Sequence, residues 1–350
     1  MRNTIVKIWE GEAKYIKWIL YIPLFLLSSI YKMCLVLRES MYRIGLMKVD
    51  KVAIPVISVG NITLGGTGKT PVVEKLSTDL KKMGFKPGIV TKGYRRKRKG
   101  IFHVDTKNDS ARDVGDEAMM LAKRVQMPVI VGSNRGQAID RGIKEFNIDI
   151  ALLDDGFQLR NIRKDIEVLI LHGSERKRNN GLFPLGPFRE PLMRIKDADI
   201  ILVNKGDLDS NTRAFAEGKP TFKVKYKPAY LYNLKENLIT HYNFLNGKSV
   251  LAFSGLGDNR SFFHLLTNIG ARIVHEISYP DHYVYRKKDI EKLSFFEDVE
   301  AIVTTEKDAV KIAHMDVPAN LFYLSIEVRI EREEELLELI REMLKMRDDT

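Results

Sequence analysis

The sequence has little of what marks several common classes of protein. Among 350 residues there is a single cysteine, Cys34. This excludes a disulfide framework and a thiolate metal cluster and fits a reducing compartment. The seven histidines show no HxH or HExxH spacing, which argues against a structural zinc site. No segment repeats at the period of a solenoid. The length of the chain predicts two globular domains, each with its own core.

The chain carries a large net positive charge. A formal net charge of +11 and a pI near 9.4 predict an anionic partner, which can be nucleic acid, a nucleotide or an acidic membrane surface. No recognisable nucleic-acid-reading module is present. We therefore expect no nucleic-acid partner, and no obligate protein partner is evident.

The N-terminus has the most membrane-like composition, although it lacks a long uninterrupted apolar run. Residues 18–31 carry no charge, but Pro23 and Lys32 interrupt the apolar stretch that continues to Leu37. A spanning helix needs about 20 predominantly apolar residues. Basic residues on both sides favour a helix lying at an anionic membrane interface. A buried core helix remains an alternative, and a signal peptide is disfavoured because no small-residue cleavage site follows.

The rest of the chain alternates between strand-like and helix-like segments, which predicts an α/β fold with parallel strands. Helical periodicity is clearest at 70–83 and 116–124. Ligands of such sheets bind at the carboxyl ends of the strands, so the motifs should meet at one edge. Apolar strand-like runs occupy residues 53–59, 88–91, 128–131, 148–153, 167–171 and 199–203.

The segments suggest four parts. Residues 1–47 form the membrane-interface helix, and residues 48–222 form a domain with a parallel sheet of the P-loop NTPase kind. The tyrosine-rich residues 223–243 form a linker hairpin, and residues 244–350 form a second α/β domain that ends in a charged amphipathic helix. The expected architecture is thus two α/β/α domains preceded by a membrane-associated helix.

GNITLGGTGKTP, residues 60–71, between a predicted strand and a predicted helix, favours a phosphate-binding loop over a simple glycine turn. The strict pattern has glycine where Thr63 stands. The loop backbone would cradle phosphate oxygens at a helix N-terminus, while Lys69 would reach the β and γ phosphates and Thr70 would bind Mg²⁺. The predicted nucleotide contacts are Thr63, Leu64, Gly65, Gly66, Thr67, Gly68, Lys69 and Thr70.

Two carboxylates follow an apolar strand in NIDIALLDDGFQ, residues 147–158. Paired acids after a strand often form an ordinary turn. Beside a phosphate-binding loop, however, Asp154 and Asp155 are candidate magnesium ligands, because Mg²⁺ prefers oxygen ligands near the phosphates.

Other motifs carry weaker signals. Asp116 and Glu117 lie at a predicted helix N-terminus, where acids are common for electrostatic reasons alone, although one could be a catalytic base. Six Lys or Arg side chains within residues 92–99 form either a solvated loop or part of the active edge. NKGD, residues 204–207, resembles the guanine-reading motif of GTPases, and His282 lies between an aspartate and tyrosines.

Together these motifs resemble the tetraacyldisaccharide 4'-kinase, or lipid A 4'-kinase, family. The matching segments, in order along residues 55–312, are SVGNITLGGTGKTP, TKGY, GDEAMML, LLDDGFQ, GPFREP, FSGLGD, PDHYVY and TTEKDAVK. Each motif is modest alone, but eight in this order are highly specific.

The resemblance implies ATP-dependent phosphorylation of the 4'-hydroxyl of a membrane-embedded tetraacyldisaccharide 1-phosphate, with ATP and Mg²⁺ as cofactors, on the cytoplasmic face of the inner membrane. It implies that Asp116 pairs with His282 and acts as the base. The other implied roles are phosphate binding by Lys69 and Arg189, Mg²⁺ binding by Thr70, Asp154, Asp155 and Glu190, and contact with the acceptor by Asn61, Tyr94 and Glu117.

Two local departures from the family pattern occur, at Lys92 and Arg95 around the GY pair and at residues 258–260 after the predicted strand of the second domain. The main rival function is a membrane-associated ATPase of the partitioning type with a deviant P-loop. Those proteins need a lysine where this chain has Leu64. A GTPase, suggested by NKGD, is the other rival.

Overall fold

A computed structural model describes Trp9 and residues 14–65, 68–173 and 181–348. The first part of the chain forms a long N-terminal helix followed by alternating strands and helices. These elements are α1 (Lys14–Arg43), β1 (Val56–Gly60), α2 (Lys69–Lys82), β2 (Pro87–Thr91), β3 (Phe102–His103), α3 (Ala111–Val114), α4 (Asp116–Arg124), β4 (Val129–Val131), α5 (Arg135–Phe146), β5 (Ile150–Asp154), β6 (Ile166–His172), β7 (Ile200–Asn204) and α6 (Ser210–Ala216).

The second part begins with a long strand and returns to the same alternation. Its elements are β8 (Thr221–Asn233), β9 (Leu238–Thr240), β10 (Ser249–Ser254), α7 (Asn259–Asn268), β11 (Arg272–Ser278), α8 (Lys287–Glu291), β12 (Ala301–Thr305), α9 (Glu306–Ile312), β13 (Leu321–Ile330) and α10 (Glu333–Asp348). Short 3₁₀ turns cover Leu192–Asp197, Tyr242–Leu245 and Lys292–Phe295.

The described strands form one continuous sheet in the order β11-β10-β12-β13-β8-β7-β6-β1-β5-β2-β4-β3, with β9 paired to β8. Neighbours in the first part are parallel from β7 to β4, and those of the second part are parallel from β13 to β11. Strands β1, β5 and β7 are buried at every position, as expected when helices cover both faces of a parallel sheet.

Strand β8 joins the two parallel sets. It begins parallel to β7, and from Val224 onward it runs antiparallel to β13. At its C-terminal end β8 also pairs with β9 on its other edge. These two strands form an antiparallel hairpin in which Leu231 is opposite Thr240. The two parallel sets therefore share one hydrogen-bonded sheet, and the boundaries between domains stay a prediction.

The long helix α1 exposes most of its apolar side chains. Residues 20–43 form a helix long and apolar enough to cross a bilayer by length and composition, with a mean hydropathy of 1.9. Only Leu24, Ser28 and Leu35 are buried on this segment. The other face presents nine large hydrophobic residues to solvent, namely Tyr21, Ile22, Phe25, Leu26, Leu27, Ile30, Met33, Val36 and Leu37. This exposure contradicts the alternative of a buried core helix.

The α/β fold class is confirmed, and the predicted helices and strands of the first part lie within a few residues of α2, α4, β1, β2 and β4 to β7. The sequence predicts neither the short strand β3 nor β13, the strand that continues the sheet into the second part.

Candidate active site

The predicted motifs lie at adjacent carboxyl ends of the central strands. In the sheet order β1-β5-β2, β1 leads into the phosphate-binding loop, β5 ends at Asp154 and β2 ends at Thr91. Parallel strands bring these ends to one edge, where open α/β sheets bind ligands. The predicted convergence is therefore confirmed by the fold.

The phosphate-binding loop is fixed at both of its described ends. The backbone N–H of Leu64 donates to the carbonyl of Pro187 (2.7 Å). At the other end, Gly68 has φ +78°, and a Cβ there would overlap the Tyr226 hydroxyl, which donates to the Gly68 carbonyl (2.9 Å). Only glycine fits this close approach. The predicted nucleotide contacts Gly66 and Thr67 lie outside the described residues.

Lys69 and Thr70 open helix α2 directly after this turn. Lys69 Nζ lies 3.5 Å from Asp155 Oδ1 and 3.3 Å from Asn61 Oδ1, and Thr70 is buried. The helix places its positive N-terminal end at the same point as the lysine. The local electrostatics thus favour an anion at this loop.

Asp155 is held by two cations and Asn61 lies beside them. The two terminal nitrogens of Arg189 donate to Asp155, at 3.1 and 2.9 Å. One of them also donates to the Asn61 side chain. Burial acts to raise the pKa of Asp155, but the charges of Lys69 and Arg189 outweigh it and hold the pKa well below the usual range. Asp155 is consequently a fixed negative charge, and its backbone is left-handed at φ +56°.

Asp154 has a different environment from its neighbour. It is 2% exposed, its Oδ2 accepts a hydrogen bond from Thr91 Oγ1 (3.2 Å), and its buried Oδ1 has no hydrogen-bond partner among the described residues. Burial first, and then the negative charges of Glu117 and Asp155, raise the pKa of Asp154 to about 7. A buried carboxylate without a compensating donor is suited to bind a cation.

Glu190, a predicted magnesium ligand, is 1% exposed and pairs with arginines. Its Oε1 accepts from Arg38 of α1 (2.7 Å), and its Oε2 lies 3.7 Å from Arg194. The neighbouring Arg189 carbonyl accepts from the Tyr31 hydroxyl of α1 (2.8 Å). Helix α1 is thereby bonded directly to the loop that carries Arg189.

Asp116 and His282 are in contact although 166 residues separate them in the chain. His282 Nδ1 lies 3.2 Å from Asp116 Oδ2, and Lys311 Nζ lies 3.4 Å from the same oxygen. Burial acts to raise the pKa of Asp116, but the hydrogen bond from His282 and the lysine charges lower it more, so the net pKa is below its ordinary value. The predicted pairing of these two residues is present in the structure.

Tyr94 reaches this pair because two glycines allow close backbone packing. The Tyr94 and His282 rings are 4.8 Å apart. Gly93 and Gly115 both have positive φ, at +64° and +99°, and a Cβ on Gly115 would lie 3.0 Å from the Gly93 carbonyl carbon. The TKGY and GDE motifs therefore contain glycine for a packing reason that brings Tyr94 to the active edge.

Two lysines of TTEKDAVK, for which the sequence predicts no role, lie in the site. Lys307 and Lys311 are four residues apart on helix α9, so they share one face. Lys307 Nζ contacts Glu117 Oε1 (3.1 Å), and Lys311 contacts Asp116. The sequence signal for this role is their position just after the strand β12, because ligands of parallel sheets bind at the carboxyl ends of strands.

A second missed feature is a buried ion cluster behind the site. Arg124, at the end of α4, donates from Nε to both Glu306 oxygens (2.8 Å each) and from a terminal nitrogen to Glu74 (2.5 Å). The same guanidinium donates to the Ser325 hydroxyl and the Ile326 carbonyl. It thus links α2 and α4 to α9 and β13.

Comparisons with known proteins agree with this arrangement. The model of the tetraacyldisaccharide-1-P 4'-kinase family (LpxK) matches residues 20–345. The chain belongs to this family. A tetraacyldisaccharide 4'-kinase of Shewanella frigidimarina is 33% identical over 95% of this chain and 93% of its own, and one of Syntrophus aciditrophicus is 34% identical over 91% of each.

A solved structure is similar over nearly the same length. The crystal structure of LpxK from Aquifex aeolicus in complex with ATP superposes with a TM-score of 0.74 at 32% identity, covering 91% of this chain and 98% of that chain. Membership of a kinase family across residues 20–345 decides against both the partitioning ATPase and the GTPase.

Proposed function

We propose that this kinase transfers the γ-phosphoryl group of ATP to the 4'-hydroxyl of a tetraacyldisaccharide 1-phosphate, a step of lipid A biosynthesis that forms lipid IVA. The observation that carries the proposal is the contact between Asp116 and His282 beside a phosphate-binding loop. Phosphoryl transfer needs charge neutralised on the phosphate and an acceptor oxygen held in line. The site supplies cations on one side and a carboxylate on the other.

Asp116 acts as the base that takes the proton of the acceptor hydroxyl. Within the described residues no hydrogen bond involves its Oδ1, whereas His282 is bonded to Oδ2. The carboxylate can therefore receive a proton at Oδ1 while His282 holds its orientation. A positioned base of this kind contributes about 10² to 10⁴ in rate.

Lys69 and Arg189 bind phosphate charge. Both contact Asp155, so their positive groups lie close together near the start of α2. Arg189 presents a planar fork that suits a phosphate as well as a carboxylate. Asn61 contacts Lys69, Tyr94 packs against His282 and Glu117 contacts Lys307. We assign these three residues to contact with the acceptor.

The donor set fits a magnesium ion. The buried and unpaired Asp154 Oδ1, the neighbouring carboxylate of Asp155 and the hydroxyl of Thr70 are hard oxygen ligands, the kind that Mg²⁺ prefers. They would hold the ion, which would neutralise negative charge on the phosphates. Glu190 would join them only on releasing its contact with Arg38 or Arg194.

The enzyme works at the cytoplasmic face of the inner membrane, as a peripheral or monotopic protein held by α1. The exposed apolar face of this helix supports membrane contact. The acyl chains of the acceptor resist extraction, because each buried CH₂ contributes about 0.8 kcal/mol. The predicted parts 1–47, 48–222, 223–243 and 244–350 remain our proposed domain division.

The test is phosphorylation of purified tetraacyldisaccharide 1-phosphate in mixed micelles, with ATP or GTP as donor. We expect turnover with ATP, and product carrying the new phosphate at the 4' position. Absence of this product with the full chain would contradict the proposal.

The base is tested by Asp116→Ala, with Asp140→Ala on the exposed side of α5 as the matched control. We expect Asp116→Ala to lower kcat about 10²-fold or more with little change in ATP affinity, and the control to behave like the parent. Collapse of ATP affinity would show that Asp116 does not act as the base.

A further inference from the structure

A compact group of charged side chains surrounds His282 where α9 meets the start of α4. The group, which we call the Lys307 cluster, comprises Asp116, Glu117, Asp281, His282, Lys307 and Lys311. Lys307 is central to it, because its ammonium lies 3.1 Å from Glu117 Oε1, 3.4 Å from Asp281 Oδ1 and 3.4 Å from His282 Nε2. Its side chain is 15% exposed.

The nearer contact on each ring nitrogen points to one protonation state of His282. At Nε2 the Lys307 ammonium lies at 3.4 Å and the Asp281 carboxylate farther away, at 3.7 Å. An ammonium group can only donate hydrogen bonds, so Nε2 must accept from Lys307. A carboxylate can only accept, so Nδ1 must carry a hydrogen that it donates to Asp116. A doubly protonated ring would bring an N–H against the Lys307 ammonium.

The charges of the cluster are nearly balanced without a charge on His282. The carboxylates of Asp116, Glu117 and Asp281 face two ammonium groups, which leaves one net negative charge when His282 is neutral. Burial acts to lower the pKa of Lys307, but Glu117 and Asp281 raise it more, so its net pKa lies above the ordinary value and the group stays charged.

Two further groups face His282 from the loop after β2. Arg95 donates to the His282 carbonyl oxygen (3.1 Å), and the Tyr94 ring packs 4.8 Å from the imidazole. The backbone of His282 is itself left-handed, at φ +58°. The ring is thus restrained by α4, α9 and this loop together, and Lys307 is the cation that contacts its Nε2.

We propose that Lys307 is a positioning residue of the phosphoryl transfer: its ammonium keeps His282 neutral with the hydrogen on Nδ1, and thereby keeps the Asp116 carboxylate oriented and ready to accept the acceptor proton. This inference rests on the proposed function. It gives the TTEKDAVK motif a role in positioning the general base, Asp116. This role is distinct from binding phosphate.

Removing the charge of Lys307 changes the cluster in a predictable direction. Three carboxylates would then face one ammonium, Lys311, and a hydrogen on His282 Nε2 would no longer meet a cation. The nearby cation would also no longer stabilise ionised Asp116. A charge at this distance shifts a pKa by about 1 to 3 units, and both effects move the acidic limb of the activity profile to higher pH.

The kinetic test compares the full-length parent, Lys307→Met and Lys307→Arg in the mixed-micelle assay from pH 5.5 to 9.5. For Lys307→Met we expect the acidic limb of kcat/KM to move up by about one unit or more, so that the deficit reaches about tenfold or more below the parental limb and disappears towards pH 9. Lys307→Arg should keep the parental limb, and ATP affinity should change less than about threefold in both. Lys235→Met, in an exposed pair with Asp316, is the control. A uniform loss at every pH overturns the proposal.

A second measurement needs neither activity nor a variant of Lys307. Histidine labelled with ¹⁵N distinguishes the two neutral ring forms by NMR, and His282→Gln identifies the resonance. We expect a protonated Nδ1 and an unprotonated Nε2 at pH 7.5. A hydrogen on Nε2 overturns the proposal, whereas a parent without kinase activity would contradict the proposed function alone.

Discussion

Arg124→Met should destabilise the protein strongly, although Arg124 touches no phosphate-binding group. The substitution keeps an unbranched, helix-compatible side chain at the end of α4 and removes the guanidinium. Arg124 is 9% exposed, and its partners Glu306 and Glu74 are 11% and 25% exposed. The change therefore leaves two carboxylates and the Ser325 hydroxyl without their shared donor.

The expected loss follows from this burial. Removing one partner of a buried ion pair costs about 3 to 5 kcal/mol, because the remaining charge stays desolvated. A native domain has only about 5 to 15 kcal/mol of stability in total. We therefore expect Arg124→Met to remove a large fraction of the free energy of unfolding, by about 3 to 5 kcal/mol at pH 8.

The loss should depend on pH in a defined direction. Burial raises the pKa of Glu74 even in the parent, where Arg124 lowers it, so without Arg124 the folded-state pKa rises further above the unfolded value. A group of this kind stabilises the fold below its unfolded pKa and loses that contribution as the pH rises through its folded pKa. The difference between variant and parent should accordingly shrink from pH 8 to pH 5.

Urea unfolding followed by circular dichroism measures both effects. The control is Arg329→Met on β13, since Arg329 forms an exposed pair with Glu327, for which we expect a change of less than about 1 kcal/mol. A loss for Arg124→Met no larger than that of the control, or one that does not vary with pH, would refute the reasoning.

Three further outcomes are expected. Asp116→Asn and His282→Gln should each lower kcat, and the double variant should lose little more than the worse single one, because the pair acts as a unit; additive losses in kinetic assays would contradict this. Gly68→Ala should abolish ATP binding measured by calorimetry, since its Cβ would overlap the Tyr226 ring, and Tyr226→Ala in the same background should restore part of it; no restoration would mean that the left-handed backbone alone is decisive. Deleting residues 1–45 should release the protein from anionic vesicles in a sedimentation assay, and undiminished sedimentation would show that α1 is not the membrane contact.

Local patterns in the sequence were enough for most strands of the first part and for the phosphate-binding side of the site. Apolar runs between turn residues identify β1 and β5, because strands buried on both faces must be continuously apolar. Phosphate binding at residues 60–71 depends on neighbouring backbone groups, and Asp154 and Asp155 follow their strand directly. These features are short in range, so the order of residues determines them.

Tertiary structure alone decided how distant segments combine. Lys307 and Glu117 meet across 190 residues, and no periodicity can indicate which charges pair at such a separation. The continuous sheet depends on β8 pairing with β13, which is a matter of register between two strands almost 100 residues apart. The family resemblance implies that Glu190 is a magnesium ligand, but its bond to Arg38 of the apolar helix arises only because folding places α1 against the loop that carries it. The sequence thus determined the kind of chemistry and the residues available for it, and packing determined which charges face one another.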